Sequence, residues 1–322
     1  MIYKNNDLQL YRIGLGCAGM RSEQNKSENI ATIHKALDNG INMLNTADFY
    51  GTGESEIIIG EALKGRRRDD AFVSVKFGAL MAPNGSMYGL DVRPLTIKNY
   101  LAHTLKKLKL DYIDLYQPGR IDLGIPVEET IGAISDLVKE GYIKHIGITQ
   151  VDSETLKRAN NVHPISFVET EYSLFNRGIE KDILKTAREL GIGVVTFGSL
   201  AHGLLSGTWS KEKSHMYNSM IPLFFKENID KNLELVENLK KIALEKEITL
   251  PQLALAWSLS KGEDIITLVG ASRQYTLLDS LKAKDIVLNK DDIKRIENAI
   301  PEREILGASF PSMSFKNGMV VR

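Results

Sequence analysis

Gly14-Leu15-Gly16-Cys17-Ala18-Gly19 is the stretch on which the reading of the fold turns. It spells G-x-G-x-x-G, the pattern with which a doubly wound sheet cradles the pyrophosphate of a dinucleotide. That cradle needs a helix beginning at the third glycine, so that phosphate meets a helix N-terminus, and an acidic residue closing the next strand. Here Gly19 and Met20 run into the polar stretch RSEQNKSEN, and the next apolar run closes on Asn45. Neither requirement is met, so the segment reads as a short strand followed by a loop.

Outward from it, short apolar runs alternate with longer amphipathic ones. Strand-like runs fall at Ile41–Asn45, Phe72–Lys76, Tyr112–Tyr116, His145–Thr149, Ser166–Thr170, Val194–Phe197 and Ile265–Val269. Between them the spacing predicts helices from about Ser27, taken as an N-cap, to a stop at Gly40, and over Thr96–Leu108, Val127–Lys139, Glu180–Leu190, Asp230–Lys246 and Leu250–Ser260, the last opened by Thr249 and Pro251. With the Gly14–Gly16 strand this makes about eight strand–helix units, the number that closes a (β/α)8 TIM barrel. We expect an α/β chain whose residues 1–322 form one barrel domain, with an N-terminal hairpin and long loops at the C-terminal mouth. Three segments break the rhythm where strands hand over to helices: Phe77–Pro94, Thr208–Ile229 and the tail after Pro301. The middle one carries Trp209, Met216, Tyr217, Met220, Phe224 and Phe225, and reads either as a core edge under a loop or as a lid over a ligand.

The composition, 43% hydrophobic and 25% charged over 322 residues, is that of a globular chain able to bury its own core. Lys+Arg and Asp+Glu both number 41, so no net field draws the chain to nucleic acid or to an anionic membrane. The single cysteine, Cys17, rules out an internal disulfide and a thiolate metal cage, and reads as a packing group rather than a nucleophile. The six histidines show no metal-ligand spacing, and neither a G-x-S-x-G elbow nor a G-x-x-x-x-G-K-[ST] loop is present. No apolar signal core opens the chain and no run is long enough to span a bilayer, so a cytoplasmic protein is expected. The sequence leaves oligomeric state open.

Chemistry-bearing residues collect at the predicted C-terminal strand ends: Asn45-Thr-Ala-Asp48-Phe-Tyr50-Gly51, Val75-Lys76-Phe77-Gly78, and Asp111-Tyr-Ile-Asp114-Leu-Tyr116-Gln-Pro-Gly119-Arg120-Ile-Asp122. Together with Ile146–Gln150, Glu169–Leu174, Phe197–Gly207 and Val269–Arg273 they resemble the aldo-keto reductase family across nearly the whole chain and in that family's order. The resemblance implies a barrel that binds NADP(H) at its mouth and reduces a small carbonyl substrate by direct hydride transfer. It places Tyr50 as general acid and Lys76 as the ammonium that stabilises its phenolate, a contact worth roughly 4 kcal/mol at 4 Å and an effective dielectric of ~20, before desolvation.

Two catalytic positions depart from that family. Asn45 stands where an aspartate is usual, and an amide cannot supply the charge that keeps a buried lysine protonated. Gly119 stands where a histidine is usual, leaving a gap for water or a bulkier substrate. The wording DLYQPxR is similar to a bacterial branch lacking this histidine. For the cofactor, the resemblance implies contacts from Gly16, Cys17 and Ala18, stacking of Phe197 on nicotinamide, and a carboxamide held by Thr149, Gln150 and Glu169, with Glu169 where glutamine is usual. Gly198, Ser199, Leu200, His202, Gly203 and Leu204 follow on the next loop. Gly270, Ser272 and Arg273 sit where a 2′-phosphate would be held, favouring NADP(H), and Thr276, Asp279 and Ser280 on the adenine side. Because of the two departures, an NADPH-binding regulatory or sensing protein with weak turnover stands beside the reductase reading.

Overall fold

The computed structural model describes every residue except 6, 7, 210–219, 311–313 and 322. Eight parallel strands close into a barrel: β1 (Ile13–Gly16), β2 (Met43–Ala47), β3 (Phe72–Phe77), β4 (Ile113–Pro118), β5 (Ile143–Thr149), β6 (Ile165–Glu171), β7 (Gly193–Phe197) and β8 (Ile265–Gly270). Each strand pairs with the next in chain order, and β8 pairs with β1. The expected strands are all present, most of them extended by one or two residues into the mouth.

The helical runs follow α1 (Lys26–Asp38), α3 (Pro94–Leu108), α4 (Val127–Lys139), α6 (Ile183–Glu189), α7 (Lys226–Glu245) and α8 (Leu250–Ser260). Thr249 forms the expected cap, its hydroxyl accepting from the Gln252 backbone in a full capping box. Ser27 does not: a 3₁₀ turn at Glu23–Asn25 feeds straight into α1, which begins at Lys26 without a side-chain cap. Two further helices, α2 (Glu54–Ala62) and α5 (Ser153–Val162), lie outside the predicted runs; around α2, Gly51, Gly53 and Gly60 look like loop punctuation. Gly60 has a packing reason instead. A Cβ there would lie 2.6 Å from the Leu108 carbonyl oxygen, so its absence lets α2 close on the end of α3.

The two ends of the barrel are finished differently. Below, the hairpin of Ile2–Asn5 and Leu8–Tyr11 pushes Tyr3 and Leu10 against the inward-facing Met43, Phe72, Leu115, Phe167, Val195 and Ile266, plugging the N-terminal end. Above, strands Ala79–Met81 and Met87–Leu90 join Ser314–Lys316 and Met319–Val321 in a four-stranded sheet beside the mouth. Asp122, after β4, ties the tail down by accepting from the backbone N–H groups of Asn317 (2.8 Å) and Gly318 (2.5 Å). The described strands of the first and last irregular segments therefore form one sheet. In the middle one, Leu223 and Phe224 are buried and Trp209 stacks on Phe224 at 5.7 Å, as a core edge would; Met220 is exposed, and Met216 and Tyr217 lie outside the described residues. Among the described residues no helix is long and apolar enough to cross a membrane.

Candidate active site

Near the mouth, the inward-facing positions of four strands change from apolar to polar: Asn45 on β2, Ser74 and Lys76 on β3, Gln117 on β4 and Glu169 on β6, all buried. Strand periodicity explains the pair on β3, since residues two apart share a face. Such a burial is costly unless every polar atom finds a partner. The Lys76 ammonium donates to Asn45 Oδ1 (2.6 Å) and to Glu169 Oε1 (2.8 Å), and it also meets the Tyr50 side chain, with Nζ 5.4 Å from the ring centroid. Glu169 Oε2 accepts from Asn45 Nδ2 (2.7 Å) and Gln117 Nε2 (2.5 Å), and Asn45 Nδ2 also reaches Ser74 Oγ at 3.2 Å. Burial pushes the Lys76 pKa down, but the charge of Glu169, then Tyr50, outweighs it, and the ammonium ends above the ordinary lysine value.

This arrangement corrects one expectation. Asn45 does not leave the lysine without a carboxylate, because Glu169 provides one from across the barrel. Glu169, which the resemblance also places at the carboxamide, has both of its oxygens engaged within this network. The sequence showed each departure separately; only barrel closure, which brings β2 and β6 face to face 124 residues apart, joins them.

Tyr50 opens a tight turn directly after β2. Gly51 follows with φ +60°, where a Cβ would stand 2.7 Å from the Arg21 Cβ, so glycine is needed for the turn that aims the tyrosine. The Tyr50 ring meets Phe49 edge-on at 5.1 Å. Phe49 also answers for the missing histidine: a Cβ built on Gly119 would lie 3.1 Å from the Phe49 ring, so the expected gap is lined by an aromatic edge. Beside it, Arg120 folds back to donate to the Gly119 carbonyl (2.7 Å), a partly buried guanidinium to which the sequence reading gave no role. Burial lowers its pKa against the pull of Glu169, Tyr50 and Glu171.

The positions expected around a nicotinamide cofactor divide in two. Thr149 is 1% exposed and its hydroxyl is left without a partner in the protein, as is that of buried Ser199; orphaned polar atoms of this kind suit a polar ligand. Gln150, at φ +51°, holds the end of β6 by accepting from the Thr170 hydroxyl (2.8 Å) and the Glu171 N–H (3.0 Å) through Oε1, leaving its amide nitrogen to offer. Phe197 is half-buried and meets Phe310 edge-on at 6.0 Å. Gly198, Leu200, His202, Gly203 and Leu204 form the turn that follows, and Gly270, Ser272 and Arg273 are exposed at the N-terminus of α9 (Gln274–Leu281).

Of the remaining positions, Cys17 and Ser280 are buried. Cys17 is fully buried, its N–H donating to Asn45 O (2.9 Å), and burial pushes its thiol up to about 12; it packs, as expected, and offers a ligand little beside its neighbours Gly16 and exposed Ala18. Asp279 is engaged by Gln252 Nε2 (2.7 Å) and the Thr249 hydroxyl (3.2 Å), where it secures the start of α8, and Ser280 is 2% exposed. On the adenine side, Thr276 and Asp279 are partly exposed and Ser280 is buried.

Asp48, two residues before Tyr50, accepts from Gly78 N–H at 3.3 Å. Burial, then the charge of Glu56, raises its pKa to about 7. A carboxyl raised in the folded state lowers stability as pH climbs from the unfolded value near ~4 through ~7 and leaves a constant penalty above. Asp48→Asn is therefore expected to stabilise the protein by roughly 1–3 kcal/mol at pH 8 and by nothing at pH 4. Urea unfolding at the two pH values checks it; an equal effect at both would place the cause outside titration.

A closed (β/α)8 barrel with a buried lysine beside a tyrosine at its C-terminal mouth defines the class of the protein as a barrel with its polar site at the strand ends. The model of the Aldo/keto reductase family matches residues 12–301. The chain is 33% identical to probable aldo-keto reductase 1 of Glycine max over 308 residues, covering 94% of this chain and 89% of that protein. Among solved structures it is similar to the glycerol dehydrogenase AKR11B4 from Gluconobacter oxydans, with a TM-score of 0.84, 29% identity, and 94% and 96% of the two chains covered. The holo form of aldo-keto reductase AKR11C1 from Bacillus halodurans superposes with a TM-score of 0.78 at 28% identity, covering 92% and 94%. The chain belongs to the aldo-keto reductase family, oxidoreductases that use nicotinamide cofactors on small carbonyl compounds.

Proposed function

We propose that the protein is an NADPH-dependent reductase of aldehydes or ketones, with Tyr50 as the proton donor. One observation carries this reading: a buried ammonium, held charged by a carboxylate and in contact with the phenol that stands at the mouth. NADPH bound there would supply hydride to the carbonyl carbon. Tyr50 gives its proton to the oxygen, and Lys76 stabilises the phenolate left behind until solvent reprotonates it. Thr149 and Gln150 would hold the carboxamide, Phe197 the face of the ring, and Ser199 the phosphates. Phe49 lines the side of the pocket where Gly119 replaces an imidazole, which favours flat apolar substrates over small hydrated ones. The sensing alternative rested on both departures; the Lys76–Glu169 pair answers the missing carboxylate, and the missing imidazole at Gly119 is left to the turnover test.

The test is NADPH oxidation against a panel of aldehydes, quinones and aromatic ketones, with binding followed by quenching of NADPH fluorescence. Binding with no oxidation of any panel member would favour the sensing reading. Arg273, exposed beside the N-terminus of α9, is the group proposed to meet the 2′-phosphate. NADPH is expected to bind about tenfold more tightly than NADH, and Arg273→Ala to remove most of that preference, because a charge-assisted contact to the dianion is lost. Equal dissociation constants for the two cofactors in the wild-type protein would reject the assignment.

A further inference from the structure

We infer that Glu169 is the positioning residue that keeps Lys76 charged, and that Asn45 and Glu169 act as a coupled pair, one amide and one carboxylate, that gives the lysine a single counter-charge from β6. This inference rests on the proposed roles of Tyr50 and Lys76 and adds a requirement to them. It stands on the contacts alone. The Lys76 ammonium lies between one amide oxygen at 2.6 Å and one carboxylate oxygen at 2.8 Å, and these two acceptors are themselves joined by an amide donor at 2.7 Å. A buried lysine without an anion loses its proton, so the Glu169 carboxylate is what maintains the charge beside Tyr50.

Chemistry at the two positions is constrained in opposite directions. Position 45 must accept from Lys76 and donate to Glu169 at once, which an amide does and a carboxylate cannot. An aspartate at 45 would face Glu169 across 2.7 Å, two anions around one cation. Position 169 must accept on both oxygens, from Lys76 on one side and from Asn45 and Gln117 on the other, which suits a carboxylate and not an amide. The site therefore holds one carboxylate and one amide; the reverse order also gives the lysine a single counter-charge, provided Gln117 turns its amide to present the Oε1 that has no partner in the native arrangement.

Three variants measured with NADPH and 4-nitrobenzaldehyde decide the matter: Glu169→Gln, Asn45→Asp and the double exchange. Glu169→Gln is expected to lower kcat by about 100-fold and to bring the alkaline fall of the pH–rate profile down by a unit or more, because burial alone then governs Lys76. Its NADPH dissociation constant should stay within about threefold, since hydrogen bonds to the cofactor are not among those removed. Asn45→Asp alone is expected to lower kcat about tenfold and to reduce Tm, and the double variant to recover kcat to within about tenfold of wild type, a reversal of sign that independent sites do not give.

Glu169→Gln that keeps its kcat and pH profile would overturn the inference. So would a loss confined to NADPH binding, which would return Glu169 to the carboxamide, or an Asn45→Asp effect that merely adds in the double variant. Should Glu169→Gln not fold, the double variant decides alone: folding and turnover within tenfold of wild type support the exchange, and an unfolded or inert double variant overturns it. Tyr50→Phe separates this from the functional reading. If that variant is inert while the exchange series shows no coupling, the counter-ion role fails and the reductase mechanism stands; if it is fully active, the mechanism itself fails.

Discussion

Tyr50→Phe is expected to lower kcat by roughly 10²–10⁴-fold, the range typical of a lost general acid, and to leave the NADPH dissociation constant almost unchanged. The phenyl ring keeps the edge contact with Phe49 and the turn held by Gly51, so the pocket retains its shape. What disappears is the proton and the oxygen that Lys76 stabilises. A loss in kcat with an intact dissociation constant is the signature of a group that acts in the transition state and not in binding. Steady-state rates on two unrelated aldehydes, with fluorescence quenching on the same preparations, check it. A variant that keeps full activity on both would show that the proton comes from elsewhere, with Arg120 the next group to examine.

The second large effect is on stability. Lys76→Met removes the cation and leaves Glu169, 1% exposed, with only amide donors. Taking one partner from a buried pair typically costs ~3–5 kcal/mol, because the survivor stays desolvated and uncompensated. The double variant Lys76→Met with Glu169→Gln replaces the pair by neutral groups and is expected to regain half or more of that loss, since no buried charge remains. Both variants should be inert on carbonyl substrates. Urea unfolding of the two single variants and the double variant forms the cycle; a cost for Lys76→Met below about 1 kcal/mol would mean that water reaches Glu169 and that the pair is not shielded.

Read along the chain, the barrel was already legible. The parallel strands are buried on both faces and appear as apolar runs, and Gly40, Gly141 and Gly191, all with positive φ, follow the ends of α1, α4 and α6. Departures from the expected elements are local. Ser27 looked like a cap because caps are written in residue types, yet the preceding 3₁₀ turn already supplied the start of α1. α2 was hidden by Gly60, whose reason for being glycine is the Leu108 carbonyl of another helix.

The sequence by itself determined the fold class, the strand ends at which Tyr50, Lys76, Thr149 and Phe197 emerge, and the family, because these follow from local periodicity and from motifs kept in order. Only the tertiary structure decided what Asn45, Glu169 and Gly119 mean. Each looks like a loss when compared with a pattern one position at a time. The electrostatic state of a buried group, however, is set by everything within a few ångströms of it, and closing the barrel puts Glu169 against Lys76 and Phe49 against Gly119. A charge absent from β2 is present from β6, and that is a relation between distant residues that no linear reading contains.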